Sequence, residues 1–559
     1  MKRAGLLLAI SLIVASCATM QPQGQELVAR AVQAMGGAET LAGVKTLSVK
    51  GTVRQWEPEQ SMVPGGEMRF ACESTFEAVS DVGTNATRID WVRNFAYPAP
   101  RTFTFSEIVT PDAGYVAGID SNGRTKQSLD SNPPAHAMSG LRLATSQREL
   151  RRGSSLLFLE MLKNPDRVSS AGAVTVGGVS YPAVDYRAGD QTMTVLFDPA
   201  TGLPARIRTL DYDNIWGDVT YDLVLADWKA MDGLRVATSR KYELNGRTVI
   251  DIKITDGKVN APIAAERLTI PAAFKTGAPK PATGPVPYQW VIRRQFIGTY
   301  LDSDAPSYDT RATSGLRLEE RAPGVQHVVG GSHHSLIVEM RDYLIVFDAP
   351  VSDGHSKWVL NAARTKYPGK PVRFLVLTHH HMDHAGGVRA FAAQGATIIV
   401  GQGAGEHFRR VLAAPFKRNP DLGARDLTAT PIAEVGDKRL FNDGTREVGA
   451  YVIENPHATG LMIGYVADAR LGFVTDIWSP GAGPLPDKLN PNLAALVTGV
   501  KKAGISPARF AGGTARWPTM RRSRRSKGNS SSRGTDHGPG LRSQRSARAD
   551  CRTGAPGPP

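Results

Sequence analysis

Histidine and aspartate side chains are crowded into one short stretch of the chain, THHHMDHAGG. His379 and His381 stand two positions apart directly after an apolar run, so in extended backbone their side chains point the same way. Asp383 and His384 follow at a turn, from which they can be aimed at a second point nearby. Imidazole and carboxylate groups are ligands that zinc accepts. The spacing therefore predicts a metal site rather than a histidine-rich surface loop.

The elements around this stretch indicate how it is held. The apolar run FLVL before it predicts a short buried strand, and Gly386-Gly387 after it predict the start of a helix that runs towards Ala393. From Leu316 onward, short apolar strands alternate with helical segments, which is typical of a layered α/β domain. We therefore predict that residues 316–513 form a domain that carries the site.

THHHMDHAGG resembles the signature of the metallo-β-lactamase-fold hydrolases, and the resemblance covers residues 316–513. It implies an αββα sandwich with a site at one edge of the paired sheets for two metal ions, zinc first and iron or manganese as alternatives. Two divalent ions about 3.5–4 Å apart can share a water and lower its pKa towards about 7, so that a metal-bound hydroxide attacks a carbonyl or phosphoryl centre. The implied activity is hydrolysis of an ester, thioester, lactone or related bond.

The resemblance also implies roles for individual residues. His379 and His381 would join a third histidine at the first metal, and His457 in YVIENPHATG stands at the family's interval. Asp383 and His384 would serve the second metal. Asp383 would also orient the nucleophile, which makes it the catalytic carboxylate of the predicted site.

Four further positions follow from the resemblance or lie near the motif. Asp476 in LGFVTDIWSP takes the place of the family's bridging acid and completes the predicted ligand set. A carboxylate there resembles the glyoxalase-II-like, lactonase-like and phosphodiesterase-like branches, whereas the antibiotic-degrading lactamases usually have Cys or Ser, so we do not expect β-lactam hydrolysis. Asp348 is either an acid behind the metal ligands or a turn-capping residue. His333 and His334 either line the mouth of the site or are solvated turn histidines, and we do not include them among the ligands.

Residues 25–270 have a different pattern. A helical stretch with a break at Gly36-Gly37 comes first, and segments such as TLSVKGTVRQW and RTVIDIKITDGKV then alternate apolar and polar residues. LFDPATGLPARI predicts a strand–turn–strand unit with Gly202 at a positive φ angle. An antiparallel, strongly curved sheet is expected. It resembles the half-open barrels of periplasmic lipoprotein-carrier proteins, which shelter apolar ligands. The alternative is a β-rich domain that only packs against, or positions, the catalytic half.

Together these patterns predict an α+β chain of two domains. A curved, half-barrel-like antiparallel sheet at residues 25–270 is followed by a Pro/Gly-rich linker at 271–315 and by the αββα sandwich at 316–513. A function from another class stays open: a carrier or sensor that binds a lipid-like ligand in the sheet domain, with a degenerate metal domain.

The segment at residues 1–17, MKRAGLLLAISLIVASC, predicts a targeting signal. Two basic residues precede an apolar run that is too short to span a bilayer. VASC resembles a bacterial lipobox, in which Cys17 is lipidated; an ordinary secretory signal is the alternative. We expect a lipoprotein anchored on the periplasmic side of a bacterial membrane, with the outer membrane favoured because Ala18 follows the cysteine. Cys72 is expected to be a small, part-buried side chain rather than a nucleophile.

The net charge of +15 is concentrated in one segment. Residues 514–559 hold eleven Lys and Arg and two Asp, so the rest of the chain is only mildly basic. We expect a small-molecule substrate and no nucleic-acid partner.

The family's last histidine, which completes the second metal site, is expected where Thr514 stands. With suitable codons, the DNA that encodes residues 513–520 would encode HGTVADY if it were read one base earlier, so the expected histidine would be restored. A one-base deletion at Gly513/Thr514 would thus explain both the missing histidine and the Arg-rich composition that follows. We therefore predict a disordered frameshift tail and a weakened second metal site; the alternative is a basic arm that binds anionic lipid or nucleic acid.

Overall fold

The computed structural model describes the chain from Gly24 to Thr514 with interruptions. Three predictions lie outside the described residues: the signal segment with Cys17, most of the linker at 271–315, and the tail beyond Thr514 with its frameshift. The chain divides into two units after Trp517, so every described residue belongs to the first. Among these residues, no helix combines the length and the apolar character that a membrane span requires. The described ranges are 24–97, 100–120, 134–189, 191–283, 313, 315–419, 425–480 and 488–514.

One antiparallel sheet of 13 strands dominates the N-terminal part. Its strands are β1 Thr46–Glu57, β2 Arg69–Asp81, β3 Ala86–Phe95, β4 Arg101–Val109, β5 Gly114–Gly118, β6 Ala135–Ala137, β7 Val168–Val176, β8 Val179–Ala188, β9 Gln191–Phe197, β10 Pro204–Asp213, β11 Gly217–Met231, β12 Leu234–Leu244 and β13 Arg247–Val259. They lie in the order β6-β5-β4-β3-β2-β1-β13-β12-β11-β10-β9-β8-β7, so pairing follows the chain except where β1 meets β13. The predicted antiparallel sheet is confirmed, with Gly202 at a φ of 74° between β9 and β10.

Short helices pack against this sheet. Gly24–Ala34 and Ala38–Ala42 flank the predicted break. There Gly36 has a φ of 122°, and an added Cβ atom would lie 2.6 Å from the Gly233 carbonyl oxygen, so a larger residue would not fit. The apolar side chains of these helices, such as Leu27, are buried against those of the strands. The other helical segments here are Gly140–Arg152, Leu156–Lys163, Ala272–Lys275 and the 3₁₀ turns Pro165–Arg167 and Ala265–Leu268.

Two smaller sheets build the C-terminal part. The first has seven strands, in chain order: β14 Arg317–Ala322, β15 Val325–Val329, β16 Ser335–Glu339, β17 Leu344–Phe347, β18 Val372–Val376, β19 Thr397–Gly401 and β20 Ile432–Val435. The second has five: β21 Lys438–Asn442, β22 Glu447–Val452, β23 Met462–Val466, β24 Leu471–Val474 and β25 Arg509–Gly512. Pairing is parallel from β17 to β20 and between β24 and β25, and antiparallel elsewhere.

The two smaller sheets pack face to face, with helices on their outer faces. On β16, Leu336 and Val338 point into the core between the sheets, while Ile337 points towards the outer helices. Phe347 and Phe473 meet in the inner core, with ring centroids 5.8 Å apart. The predicted αββα sandwich is therefore confirmed. Its helices are Asp353–Lys366, Met382–Ala385, Val388–Ala392 and Gly405–Ala413 beside the first sheet and Pro491–Lys502 beside the second.

The N-terminal sheet also contacts the sandwich directly. The carboxylate of Asp218 accepts hydrogen bonds from the backbone N–H groups of Lys417 and Arg418, each at 3.0 Å. Ile215, in the β10–β11 turn, is buried in the same apolar cluster as the helices beside the seven-stranded sheet. The two parts therefore share a boundary that is both apolar and hydrogen-bonded.

Candidate metal centre

Side chains from several segments meet at one edge of the sandwich, where strands end. Asp348 directly follows β17, the THHHMDH stretch follows β18, Asp476 lies two residues after β24, and Thr514 lies two residues after β25. Because β17 and β18 are parallel, as are β24 and β25, their carboxyl ends lie at the same edge of each sheet. His457 comes from the β22–β23 connection and His333 from the β15–β16 connection.

Four donor atoms form a first group, from His379, His381, His457 and Asp476, and all lie within 4.8 Å of one another. His381 Nδ1 is 3.1 Å from Nε2 of His379 and 3.1 Å from Nε2 of His457. Asp476 Oδ2 is 3.1 Å from His457 Nε2 and 3.4 Å from His379 Nε2. Four zinc ligands at about 2.0–2.1 Å in a tetrahedron would stand about 3.3 Å apart. The spacing of the group therefore suits one tetrahedral ion.

The hydrogen bonds of His381 leave the correct nitrogen available to an ion. Its Nε2 lies 2.9 Å from the carbonyl oxygen of Ser61, in the connection between β1 and β2. A carbonyl oxygen only accepts, so Nε2 carries the proton and the lone pair is on Nδ1, which faces the group. Burial lowers the pKa of His381 well below its ordinary value, and the nearby His379 lowers it further. His381 is therefore neutral at neutral pH.

A second group contains His333, His384 and Asp476. His384 Nε2 is 3.0 Å from Asp476 Oδ1, and its Nδ1 donates to Asp348 Oδ2 at 2.8 Å. Asp348 is fully buried and also accepts from the backbone N–H of Thr378 at 2.7 Å and from its hydroxyl at 2.9 Å. Asp348 thus stands behind His384 and orients it, one of the two roles considered from the sequence. Asp476 belongs to both groups, with a different oxygen towards each.

The second group has an electrostatic preference for positive charge. Burial disfavours a charged His384, but the carboxylates of Asp476 and Asp348 raise its pKa well above the ordinary value. Burial likewise opposes ionisation of Asp476, yet His384 and the hydrogen bond from His379 hold the pKa of that carboxyl well below its usual range. His379 itself has its pKa lowered to about 4 by burial and by His384.

Asp383 lies beside the two groups and belongs to neither. Its Oδ1 accepts a hydrogen bond from Gln60 Nε2 at 2.8 Å, and its Oδ2 is 3.2 Å from His333 Nε2. His333, which was not predicted to be a ligand, belongs to the second group. The only sequence signal for it was the histidine pair His333-His334 in GGSHHSLIVEM, which could line the mouth of the site or lie in a solvated turn. The contact from Gln60 has no such signal, since Gln60 belongs to the N-terminal part.

Thr514 occupies the position where the family's last histidine was expected. Its hydroxyl donates to Asp476 Oδ1 at 2.6 Å, and its backbone forms an antiparallel bridge with His333. A side chain at position 514 therefore reaches the second group directly. Thr514 offers a hydroxyl there, in place of an imidazole.

Three comparisons with known proteins were made. A family model described as the metallo-beta-lactamase superfamily matches residues 328–517. A search of curated proteins returns no match. Similar solved structures include a metallo-beta-lactamase from Pontibacter korlensis, with 16% identity, 36% of this chain and 92% of that chain covered, and a TM-score of 0.28.

A metallo-beta-lactamase with a HARLDQ motif from Cronobacter sakazakii has 19% identity, with 36% of this chain and 80% of that chain covered and a TM-score of 0.25. The stereoselective inverting sec-alkylsulfatase Pisa1 from Pseudomonas sp. has 17% identity, with 38% of this chain and 40% of that chain covered and a TM-score of 0.28. The metallo-beta-lactamase superfamily model thus matches the part of the chain whose described residues form the αββα sandwich, and a large N-terminal antiparallel sheet precedes it.

Proposed function

We propose that this protein is a metal-dependent hydrolase with two metal ions, zinc in the first instance. The observation that carries the proposal is the first group, in which three imidazoles and one carboxylate from distant segments converge within 4.8 Å. Its donor chemistry and its spacing both fit a zinc ion. The superfamily match over residues 328–517 supports the same assignment.

The second ion would be held by His384 and Asp476, with His333 as a further donor and Asp383 beside them. Asp476 can serve both ions because Oδ2 faces the first group and Oδ1 faces the second. Divalent ions at these positions would supply Lewis-acid chemistry and lower the pKa of a water molecule. Asp383, which lies between Gln60 and His333, would orient that water.

The substrate class that we propose is a small molecule with an ester, thioester, lactone or related bond. A carboxylate at position 476, where the antibiotic-degrading relatives usually have Cys or Ser, supports this class over β-lactams. We also propose that the chain is a lipoprotein anchored through Cys17 on the periplasmic side of a bacterial membrane. The support for that location is the segment MKRAGLLLAISLIVASC.

The test combines metal analysis with a hydrolysis screen of the purified protein. Zinc content is measured after dialysis, and esters, thioesters, lactones and phosphodiesters are offered as substrates. We expect His381→Ala to abolish both tight zinc binding and hydrolysis, because it removes the donor at the centre of the first group. The far-ultraviolet circular dichroism of that variant should match the parent. A zinc-loaded parent that hydrolyses none of these bonds, yet binds an apolar ligand, would favour the carrier or sensor alternative.

A further inference from the structure

The connection between β1 and β2 extends from the N-terminal sheet to the candidate metal centre. Two contacts anchor it to the segment that carries His457. The backbone N–H of Thr459 donates to the Met62 carbonyl oxygen at 2.8 Å, and a guanidinium nitrogen of Arg69 donates to the His457 carbonyl oxygen at 2.8 Å. Gln60 and Ser61, between these anchors and β1, are both buried.

Ser61 presents its carbonyl oxygen to two histidines of the THHHMDH stretch. It lies 2.9 Å from His381 Nε2 and 3.0 Å from His380 Nε2. The acceptor fixes the tautomer of His381, as described above, and it also restricts rotation of the ring. Metal-bound histidines are commonly oriented in this way by an acceptor on their second nitrogen. Here the acceptor belongs to the other half of the molecule.

Gln60 presents its amide to Asp383 in a defined orientation. A carboxylate only accepts, so the amide nitrogen must face Asp383, and Nε2 lies 2.8 Å from Oδ1. The amide oxygen is then turned towards Tyr97, whose hydroxyl donates to it. Burial and the charge of Asp383 raise the pKa of Tyr97 well above its ordinary value, so the hydroxyl keeps the proton that it donates. The two hydrogen bonds thus run in one direction: Tyr97 donates to Gln60, and Gln60 donates to Asp383.

We propose that the N-terminal sheet completes the metal centre, with Gln60 as a positioning residue for Asp383 and the Ser61 carbonyl as a positioning group for His381. The N-terminal half would then strengthen metal binding and would not merely pack against the sandwich. This inference rests on the proposed function, because its readout is metal binding. It goes beyond that function in assigning a role to residues outside the superfamily domain.

The experiment is a cobalt titration of the full chain, followed by the visible absorption of Co²⁺, with Gln60→Glu, Gln60→Leu and Tyr97→Phe. Gln60→Glu keeps the size of the side chain but replaces the donor with an acceptor that faces the Asp383 carboxylate. Gln60 acts on the second group through Asp383, whose Oδ2 lies 3.2 Å from Nε2 of the donor His333. Groups behind metal ligands typically change metal affinity by about 10–100-fold. We therefore expect Gln60→Glu and Gln60→Leu each to lower the affinity for the second cobalt ion by about that factor, and Tyr97→Phe to lower it less.

The matched control is Gln147→Leu. Gln147 lies in the same half of the molecule, and its Nε2 donates to the Thr110 carbonyl oxygen at 2.7 Å, away from the metal centre. This variant should bind cobalt as the parent does. Parent-like binding by Gln60→Glu would overturn the inference, because it would show that Gln60 only fills space. If Gln60→Leu does not fold, Tyr97→Phe provides the test, because it removes only one hydroxyl group. A parent that binds no cobalt at all would instead refute the proposed function.

Discussion

Replacing Asp348 by Asn tests the proposed second metal site with almost no change of shape. Asp348 has a φ of 62°, a left-handed conformation that Asn tolerates well, so the backbone should not be strained. The native carboxylate accepts three hydrogen bonds, two from Thr378 and one from His384. An amide has one oxygen and one NH₂ group, so it cannot accept all three.

Both orientations of the new amide are unfavourable. If the NH₂ group faces His384, Nδ1 must accept and the proton moves to Nε2, which then has no lone pair for an ion. If it faces Thr378, a buried backbone N–H loses the acceptor that it has at 2.7 Å. We expect the second ion to bind about 10–100-fold more weakly, or about 1.4–2.8 kcal/mol. The metal-free protein should lose about 1.5–3 kcal/mol of unfolding free energy, because a hydrogen bond to a buried charged group is lost.

The assay is a stepwise zinc titration by calorimetry, with urea unfolding in the presence of a chelator. The first ion, held by the group around His381, should bind as in the parent. Asp222→Asn is the matched control: Asp222 is equally buried, but its partners are Arg206 and Arg208 in the N-terminal sheet. That variant should lose stability and keep both metal affinities. Unchanged binding of the second ion in Asp348→Asn, or weakening of the first ion alone, would refute the reasoning.

Two further predictions concern single positions. Thr514→His should increase the affinity for the second ion by at least about tenfold, because position 514 contacts Asp476 directly. Thr514→Val is the control. Equal zinc affinities of the two variants in a titration would contradict the prediction. His327→Gln should reduce the sensitivity of stability to acid. Burial and the nearby His334 lower the pKa of His327 to about 3, so the folded chain keeps this ring neutral while the unfolded chain takes up a proton below about pH 6.5. That uptake destabilises the folded state as the pH falls, by about 2.5 kcal/mol between about pH 7 and 4.5. Urea unfolding at the two pH values should show this loss to be smaller by that amount in the variant, and an equal loss in both proteins would contradict it.

Local patterns in the chain predicted much of the architecture. The strict alternation in segments such as RTVIDIKITDGKV leads to antiparallel strands, because one face of each strand is buried. The apolar run before THHHMDHAGG predicted the strand Val372–Val376, and the glycines after it predicted the start of the helix Val388–Ala392. His379 and His381 could therefore be placed together from spacing alone. The resemblance to the superfamily then pointed to His457 and Asp476, which local patterns do not distinguish from other polar residues.

The roles of His333 and Gln60 depended on how separate sheets pack. His333 reaches the second group because the β15–β16 connection ends at the same edge as β24 and β25, and a histidine after a double glycine has no local feature that indicates this. Gln60 and Asp383 are 323 positions apart and lie in segments that follow strands of different sheets. Spacing along a chain determines which side chains share the face of one strand or helix, because the backbone repeat is local. Contact between two sheets is determined by the packing of whole faces against each other, and no periodicity within either segment encodes it.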